Sequence, residues 1–96
     1  MKKYESVVIL YSNLKDEERE SVINKIKDKI NSFGNVTNIE DLGKKRLAYE
    51  IKKQKDGYYI CFEFSIDEKY ENAIAEIERL FRIQDEVMKF IVVRKD

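Results

Sequence analysis

Two stretches of this chain carry apolar residues only at helical intervals. Val22, Ile23, Ile26, Ile30 and Phe33 make one stripe; Tyr70, Ile74, Ile77 and Phe81 make the other. A helix with one apolar stripe can bury only one side, so each must lie on something broad and flat. Strands supply it. Residues 4–11, YESVVILY, are β-branched and aromatic, and both alternating phases are largely apolar: Tyr4, Ser6, Val8, Leu10 and Glu5, Val7, Ile9, Tyr11. That pattern marks a central strand.

The other elements follow from local chemistry. Ser12 and Asn13 are cap-type residues, and Asp16, Glu17 and Glu18 suit a helix N-terminus, so the first helix is placed over about Lys15 to Phe33, ending at Gly34. Val36 to Asp41 resumes an extended pattern and runs past Gly43, a bulge or bend, into Leu47 to Lys52. Gln54-Lys55-Asp56-Gly57 reads as the hairpin turn, with Asp-Gly its strongest signal. Tyr58 to Ile66 is the next strand, with Tyr58, Ile60, Phe62, Phe64 and Ile66 on one apolar face. Asp67 is placed as the cap of the second helix, and Gln84 and Asp85 as its end. Val87 to Val93 forms the last strand.

The order β-α-β-β-α-β with single-striped helices predicts an α+β, ferredoxin-like sandwich over residues 1–96, one domain. Its four-stranded antiparallel sheet carries both helices on one face. Strands one and three are central; strands four and two are the edges. The uncovered face then keeps apolar residues whichever phase turns inward, for strand four as for strand one, which points to a partner. Val7, Ile9, Tyr59, Met88 and Phe90 are the residues placed at that contact.

Composition narrows the chemistry. There is no histidine, so the usual general base and metal ligand are missing, and the single cysteine, Cys61, excludes an internal disulfide. Cys61 sits in an apolar run and reads as a small buried residue. No glycine-rich loop follows a strand to cradle phosphate, and no loop gathers carboxylates for a metal. No apolar run approaches the ~20 residues of a membrane span, and no signal-peptide pattern is present, so the chain is read as cytoplasmic and unprocessed. An enzyme, a cofactor, a membrane and a small-molecule substrate are therefore not expected.

Lysine and arginine number 19, aspartate and glutamate 19, yet the layout is polarised. Residues 44–55 hold six cations (Lys44, Lys45, Arg46, Lys52, Lys53 and Lys55) against Glu50; residues 67–78 hold five acids against Lys69. Such a basic hairpin can meet phosphate or a partner, and lysines also guard an edge strand against unwanted pairing. Residues 56–63 have the Gly-aromatic start of an RNA-stacking strand, but Tyr58, Phe62 and Phe64 share the face read as buried. General single-strand stacking is rejected on that ground.

Gly43-Lys44-Lys45-Arg46-Leu47-Ala48-Tyr49-Glu50-Ile51-Lys52 resembles the signature of the bacterial ribosomal small-subunit protein S-six family. The opening KKYESVVIL and the closing FRIQDEVMKFIVVR are similar to that family's first and last strands, with Arg82, Asp85, Val87, Lys89, Val92 and Arg94 as matching anchors. Glu50 stands where many members have proline, and Ser6 where the family is usually apolar. The resemblance implies a structural constituent of the small ribosomal subunit, on the ribosome in the cytoplasm. It implies binding to the central domain of small-subunit ribosomal RNA as a heterodimer with the S-eighteen ribosomal protein. RNA contacts are then expected at Lys2, Lys3, Tyr4, Arg82, Lys89 and Arg94, where strands one and four lie together. The basic hairpin, Lys44, Lys45, Arg46, Lys52 and Lys53, would stand near RNA or partner, while Leu47, Tyr49 and Ile51 lock strand two onto the core. A free-standing RNA-binding regulator, and a dimeric enzyme or sensor on the same fold, are the alternatives.

Overall fold

The computed structural model describes residues 1–95. Its elements are β1 (Lys2–Leu10), α1 (Asp16–Asn31), β2 (Gly34–Ile51), β3 (Gln54–Ile66), α2 (Ala73–Ile83) and β4 (Val87–Arg94). The strands form one antiparallel sheet in the order β2-β3-β1-β4. The ferredoxin-like order expected from the periodicities is the one observed.

One phase of each strand faces the helices. Val8 lies between Ile60 and Phe90 across the ladder, and Ser6 between Phe62 and Val92. Val22, Ile26 and Ile30 of α1 and Ala73, Ile77 and Phe81 of α2 close over Val8, Leu10, Ile60, Phe62, Phe64 and Ile66. Each large side chain buried this fully contributes about 1.5–3 kcal/mol. Among the described residues Ser6 is the one buried polar residue, and its hydroxyl donates to the Ile91 carbonyl at 3.0 Å. That bond offsets the desolvation of an unusual core hydroxyl.

The first helix begins where the sequence places it, at about Lys15, but the second begins later. Lys15, not Ser12 or Asn13, caps α1: its N–H donates to the Glu18 carboxylate at 3.1 Å. Ser12 instead donates to Asp56 at 2.7 Å. Asp67 does not cap α2, which starts at Ala73. Its carboxylate accepts the Lys69 N–H at 3.1 Å, and its carbonyl accepts the Tyr70 N–H at 3.1 Å. This local bonding holds 67–72 as turns, because an Asp side chain competes with helical hydrogen bonds. Tyr70 therefore leaves the α2 stripe and packs edge-on against Phe33.

The hairpin turn also lies elsewhere. Ile51 faces Gln54, so the two-residue loop is Lys52-Lys53, with φ of 49° and 64°. Two positive φ values match the right-handed twist of the flanking strands, a geometry that favours Asn-Gly and costs other residues of order 1 kcal/mol each. Asp56 and Gly57 sit inside β3. Asp56 is engaged by Ser12, while Gly57 is where β1 comes closest: a Cβ there would lie 2.5 Å from Ile9 Cγ2. Gly43, at φ 78°, marks a register slip in β2, the bulge its position implied.

Gly57→Ala should therefore destabilise the protein by about 1–3 kcal/mol through overpacking. A lower urea midpoint with an unchanged m-value is the expected result; an unchanged midpoint would mean that Ile9 gives way freely.

Candidate nucleic-acid and partner interface

The second phase of the sheet points away from the helices. Val7 faces Cys61 on one side and Ile91 on the other, and Ile9 faces Tyr59 and Lys89. Ile91 and Val93 stay 53% and 50% exposed. The long β2–β3 hairpin reaches over one end of this face. Leu47, Tyr49 and Ile51 meet Val7, Ile9, Tyr59 and Ile91 around an apolar groove of about 230 Å³. They do not lock β2 into the helix-side core, as their alternation implied. Leu47 is buried on the opposite side of the sheet, and Tyr49 remains 66% exposed. The bulge at Gly43 and the further slip between Arg46 and Ile51 change the phase of β2 along its length.

Two lysines rim the groove. Lys45 Nζ lies 5.8 Å from the Tyr59 ring centre. Lys89 Nζ lies 5.7 Å from that of Tyr49 and donates to its hydroxyl at 3.3 Å. The middle of the same face is acidic, since Glu5 faces Glu63 across the ladder and Glu40 faces Cys61.

Of the residues expected at a partner contact, Val7, Ile9 and Tyr59 share this open face. Phe90 is opposite Val8, with its ring turned to the helix side 4.9 Å from that of Phe81, and it borders the groove only from there. Met88 is only 5% exposed. Both sit in the wrong phase because β4 is apolar in both, and a bulge opposite Ile9–Leu10 shifts its register at Val87 and Met88. Ile91, Tyr49 and Leu47 take their place. The parity of Ile91 relative to Phe90 was visible in the sequence; the curl of the hairpin was not.

The expected RNA-contact residues divide between two ends of β4. Lys89 is near one end. Arg82, in the last turn of α2, lies 3.8 Å from Glu78, with its guanidinium 5.5 Å from the Phe90 ring centre. Arg94 faces Tyr4 near the other end, and Lys2 and Lys3 face Ile66 and Ser65. Lys89 and Arg94 are five positions apart along the strand, roughly 17 Å. Tyr4 is stacked on Phe64 with ring centres 5.7 Å apart, so its ring belongs to the fold. The basic hairpin divides too. Lys44 pairs with Asp56 at 3.7 Å, and Arg46 faces Asp56 across the strands. The Ser12 hydroxyl first, then Lys44 and Arg46, hold the Asp56 carboxyl below its usual range. Lys52, at the tip, instead joins Arg82, Met88, Lys89 and Phe90 around a shallow cleft at the β4 edge. Among the described residues, no group of three or more His, Cys, Asp or Glu is placed to hold a metal.

Residues 3–94 match the model of the family described as ribosomal protein S6. The chain belongs to the ribosomal protein S6 family. It is a small ribosomal subunit protein, in a family that is structural rather than enzymatic. It is 37% identical to the small ribosomal subunit protein bS6 of Thermoanaerobacter pseudethanolicus, over 100% of this chain and 99% of that one. It is 43% identical to bS6 of Carboxydothermus hydrogenoformans, over 100% and 98%. The crystal structure of 30S ribosomal protein S6 from Thermotoga maritima superposes with a TM-score of 0.89 at 30% identity, covering 98% of this chain and 87% of that one.

In this S6 family member the cysteine belongs to the open face yet is buried. Cys61 is buried and its thiol donates to Glu5 at 3.2 Å. Burial, then the Glu5 hydrogen bond and carboxylate, push the thiol up to about 12. The same hydrogen bond, together with Lys95 at 3.3 Å, holds the Glu5 carboxyl below its ordinary value. Alkylation of Cys61 by iodoacetamide at pH 8 should run about two to three orders of magnitude slower in the folded protein than in urea. Its rate should keep rising with pH well above 9, because the thiolate is the nucleophile. Comparable folded and unfolded rates at pH 8 would contradict this arrangement.

Proposed function

We propose that this protein binds the central domain of small-subunit ribosomal RNA together with the S-eighteen ribosomal protein, as a non-enzymatic architectural piece of the cytoplasmic ribosome. The observation that carries the reading is the open sheet face: an apolar groove with lysines at its rim, beside a basic cleft. A protein partner covers the groove and gains the apolar area that the helices leave exposed. The acidic middle of the face, Glu5, Glu40 and Glu63, suits a basic partner. Lysine and arginine at the β4 edge then meet phosphate, which positions the pair on RNA without reading bases. A neutral chain fits this division of labour, since a basic partner shares the RNA contact.

The test is binding of the purified chain to the partner protein, with and without a central-domain RNA transcript. Ile91→Asp, at a half-exposed position, should weaken partner capture more than tenfold while the circular dichroism spectrum stays native. Lys89→Ala and Arg82→Ala should each lower the log–log salt slope of RNA binding by roughly 0.7–0.9 in the presence of the partner. Unchanged capture by Ile91→Asp, or an unchanged slope in both cation variants, would overturn the assignment.

A further inference from the structure

We infer that Lys52, at the tip of the β2–β3 hairpin, is the third arm of a clamp for the phosphodiester backbone of structured RNA, completed by Arg82 and Lys89. The inference rests on the RNA-binding reading above and assigns it a place. Three cations from three separate elements, a hairpin loop, the end of α2 and β4, line one cleft whose remaining walls are Phe81, Val87, Met88 and Phe90. Among the described residues no acid lines it; Glu78 touches Arg82 from α2 at 3.8 Å. Lys89 also lines the apolar groove and donates to Tyr49, so it ties the hairpin to the β4 edge where the cleft opens.

The loop supplies a second, independent observation. Lys52 and Lys53 both hold positive φ, at positions where Asn and Gly would serve the backbone better. The loop's geometry therefore does not account for its residues, and charge at the tip does. Three of the other hairpin cations have local roles: Lys44 and Arg46 answer Asp56, and Lys45 lies over Tyr59. Side-chain donors spread over an open cleft with an apolar floor suit successive phosphates of a strand, with sugars against Met88 and Phe90. The cleft is open rather than enclosed, which suits a strand better than a small free anion.

Salt titrations of the whole chain with its partner and the central-domain transcript test this, alongside urea melts. Lys52→Asn should bind roughly 5- to 8-fold more weakly at 0.1 M salt, with the slope lower by about 0.7–0.9. Its urea midpoint should be unchanged or higher, the opposite of what a structural lysine would give. Lys53→Gly, a hairpin-tip cation outside the cleft lining, should raise the midpoint and lower the slope by less than half the Lys52→Asn change. Inorganic phosphate at matched ionic strength should not compete; competition by it would overturn the assignment to a polyanion strand. If Lys52→Asn binds like the parent while Arg82→Ala and Lys89→Ala bind weakly, the clamp is wrong and the broader reading survives. If Lys52→Asn and Lys53→Gly weaken binding equally, the tip acts only as diffuse charge and the clamp is wrong. If none of Lys52→Asn, Arg82→Ala and Lys89→Ala changes binding, the broader reading falls with it.

Discussion

A four-stranded sheet with two apolar faces is covered by helices on only one. Everything else in this molecule depends on that mismatch. Val8 and Leu10 are buried under α1 and α2, which leaves Val7 and Ile9, one residue along, on the outside. Strand alternation makes this unavoidable: no rotation of β1 hides both sets. The fold manages the exposed set in part by curling its hairpin. Leu47 and Tyr49 shade one end, and the remaining groove stays open. On the helix side Ser6 has its hydroxyl satisfied within the sheet, by the Ile91 carbonyl.

Charge is organised around the same geometry. A single basic hairpin in the sequence becomes three groups in space. Lys44 and Arg46 turn toward Asp56 beside the start of α1, Lys45 rims the open groove, and the tip swings to the far edge of the sheet. There it meets Arg82 and Lys89, residues 30 and more positions away in the chain. The result is an apolar patch with an acidic middle and basic flank, on a chain with no net charge. Such a surface distinguishes a basic protein from an RNA by which part each can touch.

Much of this was legible in the sequence. Two single-striped helices and a two-faced first strand were enough for the element order and strand positions, and the parity of Phe62 and Phe64 excluded them from base stacking. The errors have specific physical causes. Asp56-Gly57 looks like a hairpin turn, but its glycine answers a close approach by Ile9, a contact 48 residues away. Asp67 looks like a cap, but an Asx-type turn has the same local signature. Phe90 was placed on the wrong face because β4 is apolar in both phases, so hydropathy carried no information about direction. The convergence of Lys52 with Arg82 and Lys89 arises from bulges and twist in β2, which leave no composition signal beyond Gly43.

The central claim is that the open face, and not the helical one, is where the molecule completes itself. Amide and methyl NMR of the isolated chain titrated with the S-eighteen protein tests it most directly. Shifts should concentrate at Val7, Ile9, Tyr49, Tyr59 and Ile91, with Glu20, Lys27 and Arg79 on the outer helix surfaces unmoved. Perturbations confined to the helices, with the groove residues silent, would contradict the account.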